Sequence, residues 1–476
     1  MLPAGLRAGL ARERLRPLFC APSPPDYTQY RAKRARISAE PCILNRPQPF
    51  FRSVLSRLQP LALCLLLASA AAGVSAQAPA AAAASAAEAA SAPSLRPEVA
   101  KPLIAAQEAI KAGKYADALA RVAEAEAVPA LTLYESYVLL RMKAPAAFGG
   151  GDQAAALAMF EQIIASSLLP PADKPAIFES AIKLALQLKQ YERASALMKG
   201  YLAEGGASAE IKRLYPQVLS VLGDHAAVVQ LLQAQVAADQ AAQRATPEAA
   251  LRLLAGSQSE LKDTAGYLLT LEKLAGGTGK PEYWVELSSR TLRRAGFAEE
   301  RLMLDLHRLR QAVGIPATAG DLGDMAYRAN QAGLPAEAQL LLDAGFASGL
   351  LGKDANAVAD QKLREAATKA AAQDRATLAD SETGALRSKD GNASVGLGMA
   401  LSAAGNHERA LALINQGLAK GGLRRPDDAQ LHLGVALWRA GKIAEAKTAF
   451  SAVKGTDGGA DLAALWLLFL NSPARK

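Results

Sequence analysis

Gly276, Gly277, Thr278, Gly279 and Lys280 form the string with the most obvious chemical promise, because a glycine-rich turn before a lysine can cradle phosphate through its backbone N–H groups. A phosphate loop also needs a glycine five residues before its last glycine, a Ser or Thr after the lysine, and a strand in front. Leu274 and Pro281 stand at the first two places, and the preceding residues have a helical pattern, so the string reads as a helix-ending turn. Two Ser-x-x-Lys strings, Ser180 to Lys183 and Ser451 to Lys454, lack the companion Ser-Asp-Asn and Lys-Thr-Gly motifs of penicillin-interactive enzymes. No Gly-x-Ser-x-Gly or His-Glu-x-x-His is present. His225 and His407 follow turns, where a packing role is expected, and no pair among His225, His307, His407 and His432 has metal-ligand spacing. The sequence therefore predicts no catalytic residue, no cofactor site and no metal site, and a protein that is not an enzyme.

The elements that would position any site come next. Of the chain's 476 residues, hydrophobic types make up 51% and aromatics only 5%, with alanine dominant. That composition favours helices, and no alternating Val/Ile/Thr run flanked by turn dipeptides suggests a sheet. The formal net charge of +9 is a property of the segment 1–76, which holds eleven of the 54 bases and three of the 45 acids. Residues 77–476 carry about +1, which is no footprint for nucleic acid. Cys20, Cys42 and Cys64 also lie in that first segment, so the remaining chain is cysteine-free, as suits an oxidising compartment.

Residues 52–76 carry Arg52 and Arg57, an apolar run from Leu61 to Ala72, and the small-residue site Val74-Ser75-Ala76. This reads as a secretory signal peptide cleaved after Ala76, and the run is short for a membrane span. Membrane association is expected only if the segment is retained. Cys64 follows Leu63 inside the apolar run, which argues against lipidation. Residues 1–51 are expected to be a non-structural extension from a mis-assigned start, the true start lying downstream, for example at Val54. Residues 77–98, rich in Ala, Ser and Pro, read as a flexible linker.

From residue 99 onward a unit recurs: a short apolar helix, a turn of Gly, a polar residue and a bulky one, then a helix opening with alanine. The turns are Gly113-Lys114-Tyr115, Gly151-Asp152-Gln153, Lys189-Gln190-Tyr191, Gly223-Asp224-His225, Gly296-Phe297, Gly333-Leu334-Pro335, Gly405-Asn406-His407 and Gly441-Lys442-Ile443. Ala118, Ala156 and Ala194 are 38 residues apart, Ala338 and Ala410 are 72 apart, and Ala410 and Ala446 are 36 apart. Periods of this size mark helix-pair solenoids. The sequence predicts repeats over 99–354, a degenerate helical hairpin or insertion with a soft boundary at 355–390, and further repeats with a capping helix over 391–470. The final apolar helix, with Trp466 and Phe469, is expected to cover the last pair or to form a dimer contact.

The unit resembles the tetratricopeptide repeat (TPR) family. Its best matches are Leu433-Gly434, Gly441, Ala446 and Phe450; Leu397-Gly398, Gly405, Ala410 and Ile414; and Trp284, Leu287 and Phe297. Phe160 and Met198 fill the large position of earlier units. The resemblance implies an all-α solenoid of about nine to ten antiparallel helix pairs in a right-handed superhelix, built for protein binding. Most units here are longer than the family's repeat of about 34 residues. Carried over residue by residue, the family's concave face would hold Glu179, Lys183, Arg213, Gln217, Glu282, Ser289, Arg293, Trp438 and Arg439, while Trp284 would be core.

The segments Lys280 to Trp284, Leu292 to Phe297, Ala332 to Ala338 and Lys420 to Ala429 are similar to exported repeat proteins of Gram-negative bacteria that accompany TonB-type systems. That likeness implies a periplasmic scaffold in TonB-linked uptake, with envelope proteins such as TonB-system components as partners and no nucleic-acid or small-molecule ligand. Two alternatives stay open: a cell-envelope assembly factor for outer-membrane proteins or polysaccharide export, and an enzyme carrying helical repeats. N-terminal sequencing of the exported protein is expected to begin at Gln77; a start anywhere in residues 1–50 would contradict the leader reading.

Overall fold

A computed structural model describes residues 94–353 and 356–473. The expected extension, the signal peptide and nearly all of the linker lie outside these residues. Among the described residues there are twenty-one helices and no strand. In chain order they are α1 Pro97–Lys111, α2 Tyr115–Glu126, α3 Leu133–Gly149, α4 Gln153–Ala165, α5 Lys174–Gln187, α6 Tyr191–Ala203 and α7 Ala209–Val221. Then come α8 His225–Ala241, α9 Glu248–Glu260, α10 Thr264–Thr278, α11 Pro281–Leu292, α12 Glu299–Ala312, α13 Ala319–Gln331 and α14 Pro335–Ala347. The last are α15 Ala357–Ala376, α16 Leu378–Arg387, α17 Asn392–Ala403, α18 His407–Lys420, α19 Pro426–Arg439, α20 Ile443–Ser451 and α21 Gly459–Asn471. The fold is an all-α array of TPR-like helix pairs, in which most helices adjacent in the chain pack on one another.

One turn recurs between the two helices of a pair. At Gly113, Gly151, Gly223, Gly333, Gly405 and Gly441 the backbone has φ between 71° and 92°. The next residue's N–H then reaches back five residues, as in Asp152 to the Ala147 carbonyl at 2.9 Å and Lys442 to the Leu437 carbonyl at 2.9 Å. This is the left-handed helix stop, which satisfies the last carbonyls of the first helix. In Gly151-Asp152 and Gly223-Asp224 the aspartate also caps the following helix, accepting from Ala155 N at 3.0 Å and Ala227 N at 3.1 Å. The same three residues thus end one helix and begin another.

Lys189 holds the same geometry without being glycine, at φ 58°, and the Gln190 N–H reaches the Ala185 carbonyl at 2.9 Å. Lys262, also at φ 58°, forms an equivalent turn between α9 and α10 that is absent from the sequence-derived set. A lysine in the glycine position hid it, although its distance along the chain from Gly223 fits the repeat.

Five residues after the turn position the two helices cross closely. Ala118, Ala156, Ala194, Ala338, Ala410 and Ala446 all have no exposed surface. The partner position on the first helix is small too. A Cβ added to Gly434 would fall 2.5 Å from the Phe450 ring, and one added to Gly398 would fall 2.5 Å from Ile414 Cγ1. Phe160, Met198, Ile414 and Phe450 fill the large position as the family resemblance implies, and all are buried, as is Trp284.

The described chain divides into two compact units, residues 94–287 and Ser288–Leu470. In the first, a continuous apolar core runs from Tyr137 on α3 to Val218 on α7, and a second cluster joins α1, α2 and α3. The division falls within α11. The segment 355–390 consists of α15 and α16, separated by Thr377 alone. One residue is too short for an antiparallel return, so in place of a hairpin there is a bend: α15 packs on α14, and α16 packs on α17. At the C-terminus, Trp466 is fully buried, stacks on Phe450 at 5.3 Å between centroids and lies 4.9 Å from the Trp438 ring, so α21 caps the last pair.

Two substitutions at the turn and crossing test this account. Lys189→Gly is expected to stabilise the protein by about 1 kcal/mol by relieving the left-handed backbone. Gly434→Ala is expected to cost about 1–3 kcal/mol, because Phe450 must shift. Urea unfolding midpoints for the two variants would reveal either sign as wrong.

Candidate functional site

The nine residues expected on a concave face all sit on, or just after, first helices of pairs, but they divide between the two units. Glu179, Lys183, Arg213, Gln217 and Glu282 belong to the first unit, on α5, α7 and α11. Ser289, Arg293, Trp438 and Arg439 belong to the second. Arg213, Glu282 and Arg293 are exposed, while Lys183, Gln217 and Ser289 are half-buried. Glu179 has an internal role: it accepts from Tyr201 Oη at 3.0 Å, and Tyr201 Oη in turn accepts from Ser208 N at 3.0 Å. That chain ties α5, α6 and the start of α7 together.

Trp438 and Arg439 are also engaged internally. Trp438 lies against Trp466 and Phe469, and Arg439 Nη2 donates to Glu337 Oε1 at 2.5 Å. The pair therefore contributes to the packing of the second unit, through an aromatic cluster on one side and an ion pair on the other.

The chemistry that the sequence did not single out is a buried ionic network in the second unit. Arg308 on α12 is 2% exposed. Its Nη1 donates to Asp305 Oδ1 at 2.6 Å, and its Nε and Nη2 donate to the two Glu337 oxygens at 2.9 and 2.5 Å. This is a bidentate guanidinium–carboxylate contact, the strong form of the interaction. His432 Nε2 on α19 lies 3.3 Å from Asp305 Oδ2. His307 Nε2 lies 3.4 Å from Asp324 Oδ2, which also accepts from Arg328 Nε at 2.7 Å. At the rim, Arg301 pairs with both Asp428 and Asp457, Arg294 pairs with Asp461, and Arg310 lies 3.6 Å from Asp321.

The electrostatics follow from that geometry. Burial alone would push the Glu337 carboxyl up, but Arg308 and Arg439 outweigh it and hold it at about 2. Burial likewise opposes ionisation of Asp305, and His432 with Arg308 carries it well below the usual carboxylate range. Arg308 is raised, despite burial, by Glu337 and Asp305. The first unit has a smaller counterpart. Glu135 at the start of α3 has no exposed side-chain surface and is held at about 2 by Arg96, with Nε at 2.8 Å and Nη2 at 2.9 Å, and by the Thr132 N–H at 2.9 Å.

These charges hold helices to one another. Among the described residues no three His, Cys, Asp or Glu side chains group as a metal ion would require, and no helix is long and apolar enough to cross a membrane. His225 Nδ1 lies 3.3 Å from Ser257 Oγ, in keeping with a packing role.

No family model and no curated protein matches the chain. Solved structures similar to it include the TPR2AB domain of yeast Sti1 in complex with pHSP90, at 10% identity and a TM-score of 0.21, covering 79% of this chain and 98% of that one. Yeast Tom70 is 11% identical with a TM-score of 0.22, covering 78% and 95%. The P58(IPK) TPR domain is 14% identical with a TM-score of 0.20, covering 79% and 99%.

Glu337 tests the network. Its folded-state value is depressed, so its stabilisation is complete above the unfolded glutamate range near 4.5 and is lost as pH falls through about 2. Glu337→Gln should therefore flatten the loss of stability between those values. It should also cost about 3–5 kcal/mol near neutral pH, because Arg308 and Arg439 lose their shared partner. Unfolding curves at a series of pH values would show an unchanged slope if the carboxylate did not matter.

Proposed function

We propose that this chain is a periplasmic, non-enzymatic scaffold that binds other proteins and serves TonB-linked uptake. The observation that carries the protein-binding part is the contrast between charges. Several charges where neighbouring helices meet are paired, as Arg193 of α6 is with Glu161 of α4 and Lys143 of α3 with Glu126 of α2. Arg213 and Glu282, exposed on first helices, form no ion pair among the described residues. Unpaired charges on the repeat's expected inner face suit a partner of complementary charge. The leader read in residues 52–76 and the cysteine-free body support an exported location. The likeness of four segments to exported repeat proteins of TonB-type systems supports the finer assignment.

The test is crosslinking in the periplasm of the native cell, followed by identification of captured proteins. TonB-system components are expected with the wild-type chain. Arg213→Glu should reduce that capture severalfold while leaving the helical circular-dichroism signal unchanged. A cytoplasmic location, or capture that Arg213→Glu leaves unaltered, would refute the proposal.

A further inference from the structure

Helix α12 departs from the repeat in three ways. The turn before it is long, running from Arg293 to Ala298, and the Phe297 N–H bonds to the Arg294 carbonyl three residues back, where the other turns reach five. Five residues after Gly296, where six other units have a fully buried alanine, stands Arg301. Third, α12 is buried around its whole circumference, since Leu302 to Leu309 form eight consecutive buried residues. An amphipathic helix at the edge of a pair normally keeps one polar face in water.

The surroundings of α12 explain the burial. Two rows run along it at helical spacing: Arg301, Asp305 and Arg308, and beside them Leu302, Leu306 and Leu309. The leucine row is 0–2% exposed. The charged row meets side chains from helices far away in the sequence. Asp428 and His432 of α19 face Arg301 and Asp305, Asp457 of the loop before α21 faces Arg301, and Glu337 of α14 faces Arg308. Nearer by, Asp324 and Asp321 of α13 face His307 and Arg310. The Ala298 N–H donates to the Asp457 carbonyl at 2.8 Å. The wall around α12 is thus acidic, with Asp321, Asp324, Glu337, Asp428 and Asp457 outnumbering Arg328, His432 and Arg439. The seated face of α12 is basic on balance, with Arg301, Arg308 and Arg310 against Asp305, and its own Glu299 and Glu300 are exposed.

We propose that α12 is an internal ligand: it fills an acidic cleft of the second unit, and a protein partner's amphipathic helix with the same alternation of arginine and leucine rows competes for that cleft. Charge complementarity between wall and helix selects the occupant. The cross-links from α12 to α19 and to the loop before α21 include the partly exposed pairs of Arg301 with Asp428 and Asp457, which salt screens more than it does the buried Asp305 and Arg308 contacts. The leucine row supplies the affinity, as in helix-in-groove recognition. Any partner helix pays for displacing α12, so weakening the internal helix strengthens binding from outside.

This inference rests on the reading of the chain as a protein-binding scaffold, and the two can fail separately. The probe is a fluorescein-labelled peptide of residues 299–312, measured by anisotropy on the full chain. The Arg294→Ser/Arg301→Ser variant, altered at the two rim arginines, should bind it about tenfold more tightly than wild type. A peptide with glutamate in place of Arg301, Arg308 and Arg310 should not bind. Equal affinity of variant and wild type, no binding to either, or binding of the charge-reversed peptide would overturn the proposal. So would a variant that dimerises and stays closed to the peptide, since α12 of a second copy would then be the occupant. Should the variant not fold, hydrogen exchange on wild type decides. Amides of α12 should exchange about tenfold faster on going from about 0.05 to about 0.5 M salt, with α17 and α18 unchanged. A uniform response would overturn the proposal. Peptide competition without TonB-system capture would keep the cleft and discard the TonB reading.

Discussion

Two helices joined by a three-residue turn can touch along their length only if one of them is nearly bare where they cross. That constraint organises this protein. Alanine five residues after the turn, and glycine on the facing helix at Gly398 and Gly434, let the backbones approach until a large residue such as Ile414 or Phe450 closes the gap. Each pair still leaves an apolar face uncovered, so the pairs must stack. The core that runs unbroken from α3 to α7 is the result. Four aromatic rings, Trp438, Phe450, Trp466 and Phe469, gather where α21 packs on the α19–α20 pair.

The second unit adds a different kind of bond. Arg308 and Asp305 on α12, Glu337 on α14, and His432 and Arg439 on α19 join three helices that are well separated along the chain. Buried ion pairs stabilise little relative to well-packed apolar groups, because desolvation offsets most of the attraction. Their effect is geometric. A bidentate guanidinium fixes both distance and angle, so α12 can meet α14 and α19 in one register only. Apolar stacking tolerates sliding, whereas a charge network paired in one arrangement is left with more buried, unpaired charges in any other. Repeat packing gives the unit its helices, and the network fixes which distant helices meet.

This division of labour bears on function. Several of the expected groove residues are engaged by neighbouring helices: Glu179 by Tyr201, Trp438 by the aromatic cluster, and Arg439 by Glu337. Arg213 and Glu282 on first helices, and Arg293 just after α11, stay exposed. Lining up nine residues by repeat register treats every first-helix position as equivalent. The structure separates them according to what each neighbour demands.

Local features of the chain were legible from its residues because their causes are local. Glycine at a left-handed turn, aspartate as the following cap and alanine at the crossing each answer a requirement set within a few residues, and their recurrence at 36 to 38 residues exposes the helix pairs. The turn within a pair that escaped the sequence, at Lys262, is where the residue type departs from the requirement and only the spacing remains. The bend at Thr377, the division within α11 and the burial of α12 were not legible. Arg301, Asp305 and Arg308 look like an ordinary solvated helix face until Asp428, His432 and Glu337 arrive from 29 to 127 residues away. A residue's own type sets what it can bond to, but which distant partner reaches it is decided by how the pairs stack within the unit, and that stacking sums small packing angles that no single stretch of sequence contains.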